Sequence, residues 1–243
     1  MLKYVHLEQT DSTNAYLQRQ QLGCDIRNWV VSADGQTAGK GMGSNTWESE
    51  VGKNLTFSLA LGVDFLPAGR QFLLSEAVAL GLVQALDALL PSEKLLIKWP
   101  NDIYYENRKL AGILINSTIK ANMMDVSIIG IGLNVNQMQF QNWPTHPISL
   151  KQITGKTYDL HPLLEQIAVH ISNKVEQLKY NPALIELEYL QRLFRYRTWA
   201  EYEIGDKVLQ LYMKGIDEFG RLLLINKENQ MLCFDIKEIK FLL

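Results

Sequence analysis

Cysteine is nearly absent from this 243-residue chain. Cys24 and Cys233 stand near opposite ends, with no CxxC pair and no Cys/His cluster beside either. That excludes a disulfide framework and argues against a structural zinc site. An excess of one charge is also lacking, since 24 Lys and Arg oppose 26 Asp and Glu for a net charge of -2. A protein whose main task is gripping a polyanion carries many uncompensated cations, so only a local basic site is compatible with this balance. Long hydrophobic runs are missing too. The longest, Ala77 to Leu90, is interrupted by Gln84 and Asp87 and is too short to span a bilayer. Met1 to Thr10 has neither the apolar run nor the small-residue cleavage site of a secretory signal. A cytoplasmic protein with no membrane association is the expectation. No repeat or low-complexity linker occurs, and 47% hydrophobic residues suffice for a sizeable core.

What is present is read from periodicity. Asp11-Ser12-Thr13-Asn14 supplies good N-cap residues before a helix-compatible run, and Trp29 to Ala33 reads as a strand. Gly35 to Asn45, with its glycines and small polar residues, fits neither helix nor strand and reads as a loop. A strand over Asn54 to Val63 precedes a long helix over Gln71 to Leu90, then a strand over Leu95 to Trp99 stopped by Pro100. Ile103 to Tyr105 and Leu110 to Asn116 flank a polar turn as a hairpin. Val126 to Val135 is a further strand, and helices follow at His161 to Gln177 and Pro182 to Arg195. The pattern predicts an α+β domain. Beyond Trp199, short strand candidates at Lys207 to Met213, Arg221 to Ile225, Met231 to Phe234 and Ile239 to Leu242 predict a small all-β domain.

Three segments could carry chemistry. The glycine-rich loop holds Lys40 between Gly39 and Gly41, a pattern suited to an anion. It is not a P-loop: Gly35 and Gly39 are one residue too close, and Gly41 stands where Ser or Thr is required. In Lys98-Trp99-Pro100-Asn101-Asp102, the lysine within an apolar strand must face a carboxylate, a phosphate or solvent. Asp102 and Lys109 read equally as turn residues unless they converge with Lys98. In Gly130-Ile131-Gly132-Leu133-Asn134 the glycines leave room for a close approach, and the Asn134 carbonyl could meet a metal or a ligand; a bulged core strand is the alternative.

Taken in order and spacing, Asp11-Ser12-Thr13-Asn14, Gln36-Thr37-Ala38-Gly39-Lys40-Gly41 with Trp47, Lys98 to Asp102, Arg108-Lys109-Leu110-Ala111-Gly112-Ile113-Leu114 and Gly130 to Asn134 resemble the biotin protein ligase family. Gly215-Ile216-Asp217 with Gly220 extends the resemblance to that family's small C-terminal domain. The pairing of the Lys98 to Asp102 segment with the Arg108 to Gly112 segment is its most specific part. The resemblance implies a class II synthetase-like catalytic domain over residues 1–196, a mixed sheet flanked by helices, and an SH3-like barrel over 197–243. It implies joining of biotin, through biotinyl-5'-AMP made from ATP, to one lysine of a biotin carboxyl-carrier domain of acetyl-CoA carboxylase or related carboxylases, with magnesium.

It also implies roles. Lys109, Asp102, Lys98 and Lys40 would carry the chemistry, with Lys109 at the biotin carboxylate and adenylate phosphate and Asp102 receiving or orienting the acceptor amine. Ser12, Thr13, Asn14 and Gln36 would surround the biotin head group, whose two N–H donors and one carbonyl need hydroxyls and amides. Gly39, Gly41 and Trp47 would meet the adenylate, Gly112 and Ile113 would line the biotin pocket, and Asn134 would lie near the phosphates and metal. Met42 and Asn45 stand where the family commonly has basic residues, and Lys40 replaces an arginine, so the loop's phosphate grip is expected to be weaker. The Asp11 motif leaves no room before it for the DNA-binding domain of repressor-type relatives, so no DNA partner is expected. A homodimer is left open. The fold also serves lipoate ligases and octanoyl transferases, but their arginine- and glycine-rich motif ending in His-Asp has no match here. A non-catalytic nucleotide-binding module is disfavoured by the retained lysines.

Overall fold

The structure, a computed structural model, describes residues 1–43, 45–140 and 146–242; Ser44 of the glycine-rich loop lies outside them. Strand β1 (Lys3–Thr10) leads to helix α1 (Thr13–Gln21), β2 (Trp29–Gln36), β3 (Leu55–Gly62) and the long helix α2 (Phe72–Leu86). Strands β4 (Leu95–Lys98), β5 (Asp102–Tyr105), β6 (Arg108–Lys120) and β7 (Met123–Leu133) follow, then helices α3 (Leu150–Thr154), α4 (Leu160–Gln177) and α5 (Pro182–Arg192). The chain closes with β8 (Trp199–Ile204), β9 (Lys207–Ile216), β10 (Leu222–Ile225), β11 (Met231–Phe234) and β12 (Lys240–Phe241).

The first seven strands form one sheet in the order β1-β2-β3-β7-β6-β5-β4, with β1 and β2 parallel and the other pairs antiparallel. The mixed sheet follows from chain economy. A hairpin joins each of the pairs β4–β5, β5–β6 and β6–β7, whereas β1 reaches β2 only by way of α1. Strand β1 has no counterpart in the sequence expectation, although Val5 and Leu7 alternate with His6 and Glu8 as a half-buried strand requires. The last five strands form an antiparallel sheet in the order β11-β10-β9-β8-β12.

Alternation within β3 sorts the two faces of the large sheet. Leu55, Phe57, Leu59 and Leu61 enter the main core beneath α2 and α4, whereas Thr56, Ser58 and Ala60 point the other way. Helix α2 is apolar around nearly its whole circumference because it packs on the sheet, α4 and α5 at once. On the opposite face α1 covers only part of the sheet, seating Leu17 with Ile26, Val31, Ala60, Val126 and Ile128. The rest of that face stays open, and there the cavity forms. Among the described residues no helix is long and apolar enough to cross a membrane.

Candidate active site

A cavity of about 500 Å³ lies on the open face. Its floor is made by strand positions that have no side chain. Gly112 and Gly132 are registered partners across β6 and β7, and the indole of Trp47 lies on them. A Cβ at Gly132 would fall 2.2 Å from Trp47 Cε2, so only glycine admits the ring there. One step along β7, a Cβ at Gly130 would come within 2.4 Å of Asn14 Oδ1. The two glycines that leave room for a close approach thus seat one aromatic and one amide.

One end of the cavity is a buried polar chain. Gln36 Oε1 accepts the Thr13 N–H at 2.8 Å, and Ser58 Oγ contacts both Thr13 Oγ1 and Asn14 Oδ1. Asn14 Nδ2 donates to the Leu114 carbonyl and to Asn116 Oδ1 at 3.3 and 3.2 Å. Ser58 Oγ is the donor toward both, and Thr13 Oγ1 in turn donates to Gln36 Oε1 at 3.2 Å, an oxygen that can only accept. Ser12 is the N-cap of α1 yet its side chain caps no backbone amide. Asp11 steadies the approach to this helix; the Arg19 guanidinium first, then the Ser12 N–H, hold its carboxyl well below the usual carboxylate range.

The other end is charged. Lys109 Nζ lies 2.7 Å from Asp102 Oδ1 and 5.8 Å from the centre of the Trp47 ring. A β-bulge sets this up: Ile103 pairs with Ala111 but Tyr104 with Lys109, so Leu110 is the extra residue. Leu110 and Ala111 both enter the core, which returns Lys109 to the cavity face. Strict alternation would have sent Lys109 inward beside Ala111.

Lys40, Gly41 and Met42 line the remaining wall, on a loop closed upon itself by Trp47 N–H to Gly39 O and Gly41 N–H to Asn45 O. This loop is a small hairpin lying over the sheet, with none of the helix that a phosphate fingerprint needs.

Of the residues singled out in the sequence, Ser12, Thr13, Asn14, Gln36, Lys40, Gly41, Trp47, Asp102, Lys109, Gly112 and Ile113 border this cavity. The side chain of Ile113 belongs to the core, so its place is on the backbone side of the wall. Gly39, Lys98 and Asn134 do not border it. Gly39 accepts the Trp47 N–H on its carbonyl and leaves no room for a Cβ against the Trp47 backbone. Lys98 sits behind Asp102 against the rings of Tyr104 and Phe241, at 5.3 and 4.8 Å; burial lowers its pKa, although nearby Asp102 pulls the other way. Asn134 is fully buried and its Nδ2 ties the Ile148 carbonyl at 3.2 Å, which fixes the end of β7. Asn101 and Glu48 also line the cavity, and Ser58 and Asn116 hold Asn14 at its edge; none was given a role in the sequence. For Ser58 the signal was available, a polar residue on the even-numbered face of an otherwise apolar strand.

The sequence profile of the Biotin/lipoate A/B protein ligase family matches residues 6–134, which include every part of the cavity wall described above. The chain belongs to this family. Among its relatives, the biotin--[acetyl-CoA-carboxylase] ligase of Paracoccus denitrificans is 31% identical over 227 residues, 90% of this chain and 92% of that protein. The bifunctional ligase/repressor BirA of Escherichia coli is 30% identical over 223 residues, covering 88% of this chain but 66% of BirA. The chain matches only 43% of the BirA of Bacillus spizizenii. In fold, the biotin protein ligase of Aquifex aeolicus, solved with biotin and ATP, superposes with a TM-score of 0.80 at 23% identity, over 99% of this chain and 98% of that one. That superposition spans both sheets, whereas the family profile ends with the large one.

Proposed function

We propose that the chain is an ATP-dependent biotin protein ligase acting on a biotin carboxyl-carrier domain, with residues 1–196 catalytic and 197–243 a supporting SH3-like unit. The observation that carries this reading is the shape of the cavity: a buried hydroxyl-and-amide end, a side-chain-free floor and a lysine–aspartate pair at the far end. A bicyclic ureido acid with an aliphatic tail fits that order of surfaces. Ser12, Thr13 and Gln36 would meet the ureido N–H and carbonyl groups, the tail would cross the floor, and the carboxylate would reach Lys109.

In the first step the biotin carboxylate oxygen bonds to the α-phosphorus of ATP as the bond to the β-phosphate oxygen breaks, releasing diphosphate. Lys109 screens the approach of two anions, with Lys40 adding charge from the loop, and Trp47 would pack against the adenylate. Lys109 is paired with Asp102 in the free protein, so its transfer to the new anion frees the carboxylate. In the second step the acceptor amine bonds to the acyl carbon, the acyl C–O bond to phosphate breaks and AMP leaves. The amine's surplus proton passes to Asp102. Lys98, enclosed by aromatic rings behind Asp102, contributes positive potential without touching the reacting atoms. A resident magnesium site is not supported by these residues. Asn134 Oδ1 is a buried acceptor without a hydrogen bond, but no carboxylate accompanies it, and among the described residues no three His, Cys, Asp or Glu side chains could hold an ion.

The test is mass gain on a biotin carboxyl-carrier domain incubated with the protein, ATP, magnesium and biotin, with lipoate in a parallel reaction. Biotin-only transfer that is lost in Lys109→Ala supports the reading; lipoate transfer, or no adenylate with either acid, overturns it.

A further inference from the structure

We infer that the turn Asp217–Arg221 of the C-terminal sheet is a positioning element for the Asp102–Lys109 pair, acting through Trp99. The inference rests on the ligase reading for its kinetic consequence but on geometry for its substance. Trp99 is 2% exposed, and its indole N–H donates at 2.8 Å to the carbonyl of Gly220, 121 residues away on the other sheet. Gly220 has φ +87°, and a Cβ there would lie 2.3 Å from Phe72 Cδ2. The carbonyl is therefore presented in a conformation and a space that only glycine fills without strain.

The turn is rigid before it meets Trp99. The Asp217 carboxylate accepts from the N–H of Phe219 at 3.0 Å, the N–H of Arg221 at 2.9 Å and Arg221 Nε at 2.7 Å, and the Gly220 N–H returns to the Asp217 carbonyl. At the other end of the connection between β4 and β5, Asn101 Nδ2 donates to the Ile113 carbonyl at 2.6 Å while the Asn101 carbonyl accepts the Ile113 N–H at 2.9 Å. The segment Trp99-Pro100-Asn101 is thus pinned at both ends, to the small sheet by Trp99 and to β6 by Asn101. Asp102 follows directly and holds Lys109 at 2.7 Å. A buried indole N–H needs an acceptor, and here the acceptor is a backbone carbonyl of the C-terminal unit, not of the large sheet. That carbonyl is fixed by a turn that also packs its Gly220 against Phe72 of α2.

Trp99→Phe keeps an aromatic ring and removes the donor; Gly220→Ala disturbs the acceptor from the other side. Both are compared with Ile185→Val, a core change on α5 chosen as a stability control. Three quantities are read below the melting transition: the biotin dissociation constant, the single-turnover rate of adenylate formation, and the crystallographic Asp102–Lys109 distance. The expected result is biotin affinity within about twofold of the parent, a rate lowered about 10- to 100-fold, as a misplacement near 1 Å produces, and a broken ion pair. Parent-like rates with an intact pair, or a rate loss matched by Ile185→Val at equal melting temperature, overturns the inference. Absence of adenylate from the parent protein overturns the ligase reading instead, and the ion-pair distance still decides the positioning role.

Discussion

Lys109 Nζ and Asp102 Oδ1 meet at 2.7 Å only because Leu110 is an extra residue in β6. With side chains 17% and 16% exposed, the pair is shielded well beyond an exposed ion pair, whose contribution is typically about 0–1 kcal/mol. On the ligase reading, its place at the cavity's end lets it meet the substrate's carboxylate. Lys109→Ala is expected to lower adenylate formation about 10²- to 10³-fold, the usual cost of removing one donor from developing charge. Diphosphate release in a single turnover measures it.

The floor glycines make a sharper demand. Gly130→Ala places a methyl group into Asn14 Oδ1, and the Ser58–Asn14 contact breaks with it. Biotin affinity is expected to fall at least about tenfold by calorimetry, equivalent to about 1.4 kcal/mol. An unchanged affinity would remove the polar end from the binding site.

Met42 lines the cavity on the loop that carries Lys40. A guanidinium at this position could grip phosphate through paired donors that a thioether lacks. Free biotinyl-5'-AMP is therefore expected to escape readily from the parent protein, faster still from Lys40→Ala, and about tenfold more slowly from Met42→Arg. Trapping of released adenylate with a soluble amine reports the three rates.

Glu76 supplies a pH prediction far from the cavity. Burial first, then the neighbouring Glu186, push its pKa from 4.5 up to about 8 against the opposing pull of Arg70. The native state then holds a proton that the unfolded chain releases above pH 4.5, so this group's contribution to stability is full below pH 4.5 and is lost as pH rises toward 8. Glu76→Gln is expected to flatten that decline and to exceed the parent at pH 8 by about 2 kcal/mol or more, roughly 4–8 °C in melting temperature. A calorimetric series from pH 5 to 8 tests it.

The sequence was most legible where periodicity was long. Helix α2 and strands β3, β6 and β7 lie where their apolar patterns place them, differing mainly at the ends. Strand β1 and strand β8 escaped because each mixes charge with few strong apolar residues, and their pairing is supplied by partners elsewhere in the chain. Within the site, motif residues pointed to Lys109 and Asp102, but not to the bulge that joins them. A bulge is a mismatch between two strands and leaves no mark on either alone. Asn134, whose position after two glycines suggested a ligand contact, lies outside the cavity wall, and its Nδ2 holds the backbone at Ile148. Asn116 became visible only once the register of β6 and β7 placed it beside Asn14.

The hydrogen bond from Trp99 to Gly220 orders events in time as well as in space. A ribosome delivers β1 to β7 long before residue 220, so the large sheet can pair while the acceptor of this indole has yet to be synthesised. A growing chain therefore possesses every residue of the cavity wall before it possesses the last constraint on them. The last tie on the segment that carries Asp102 arrives late, with the final hairpins, after every strand that it steadies.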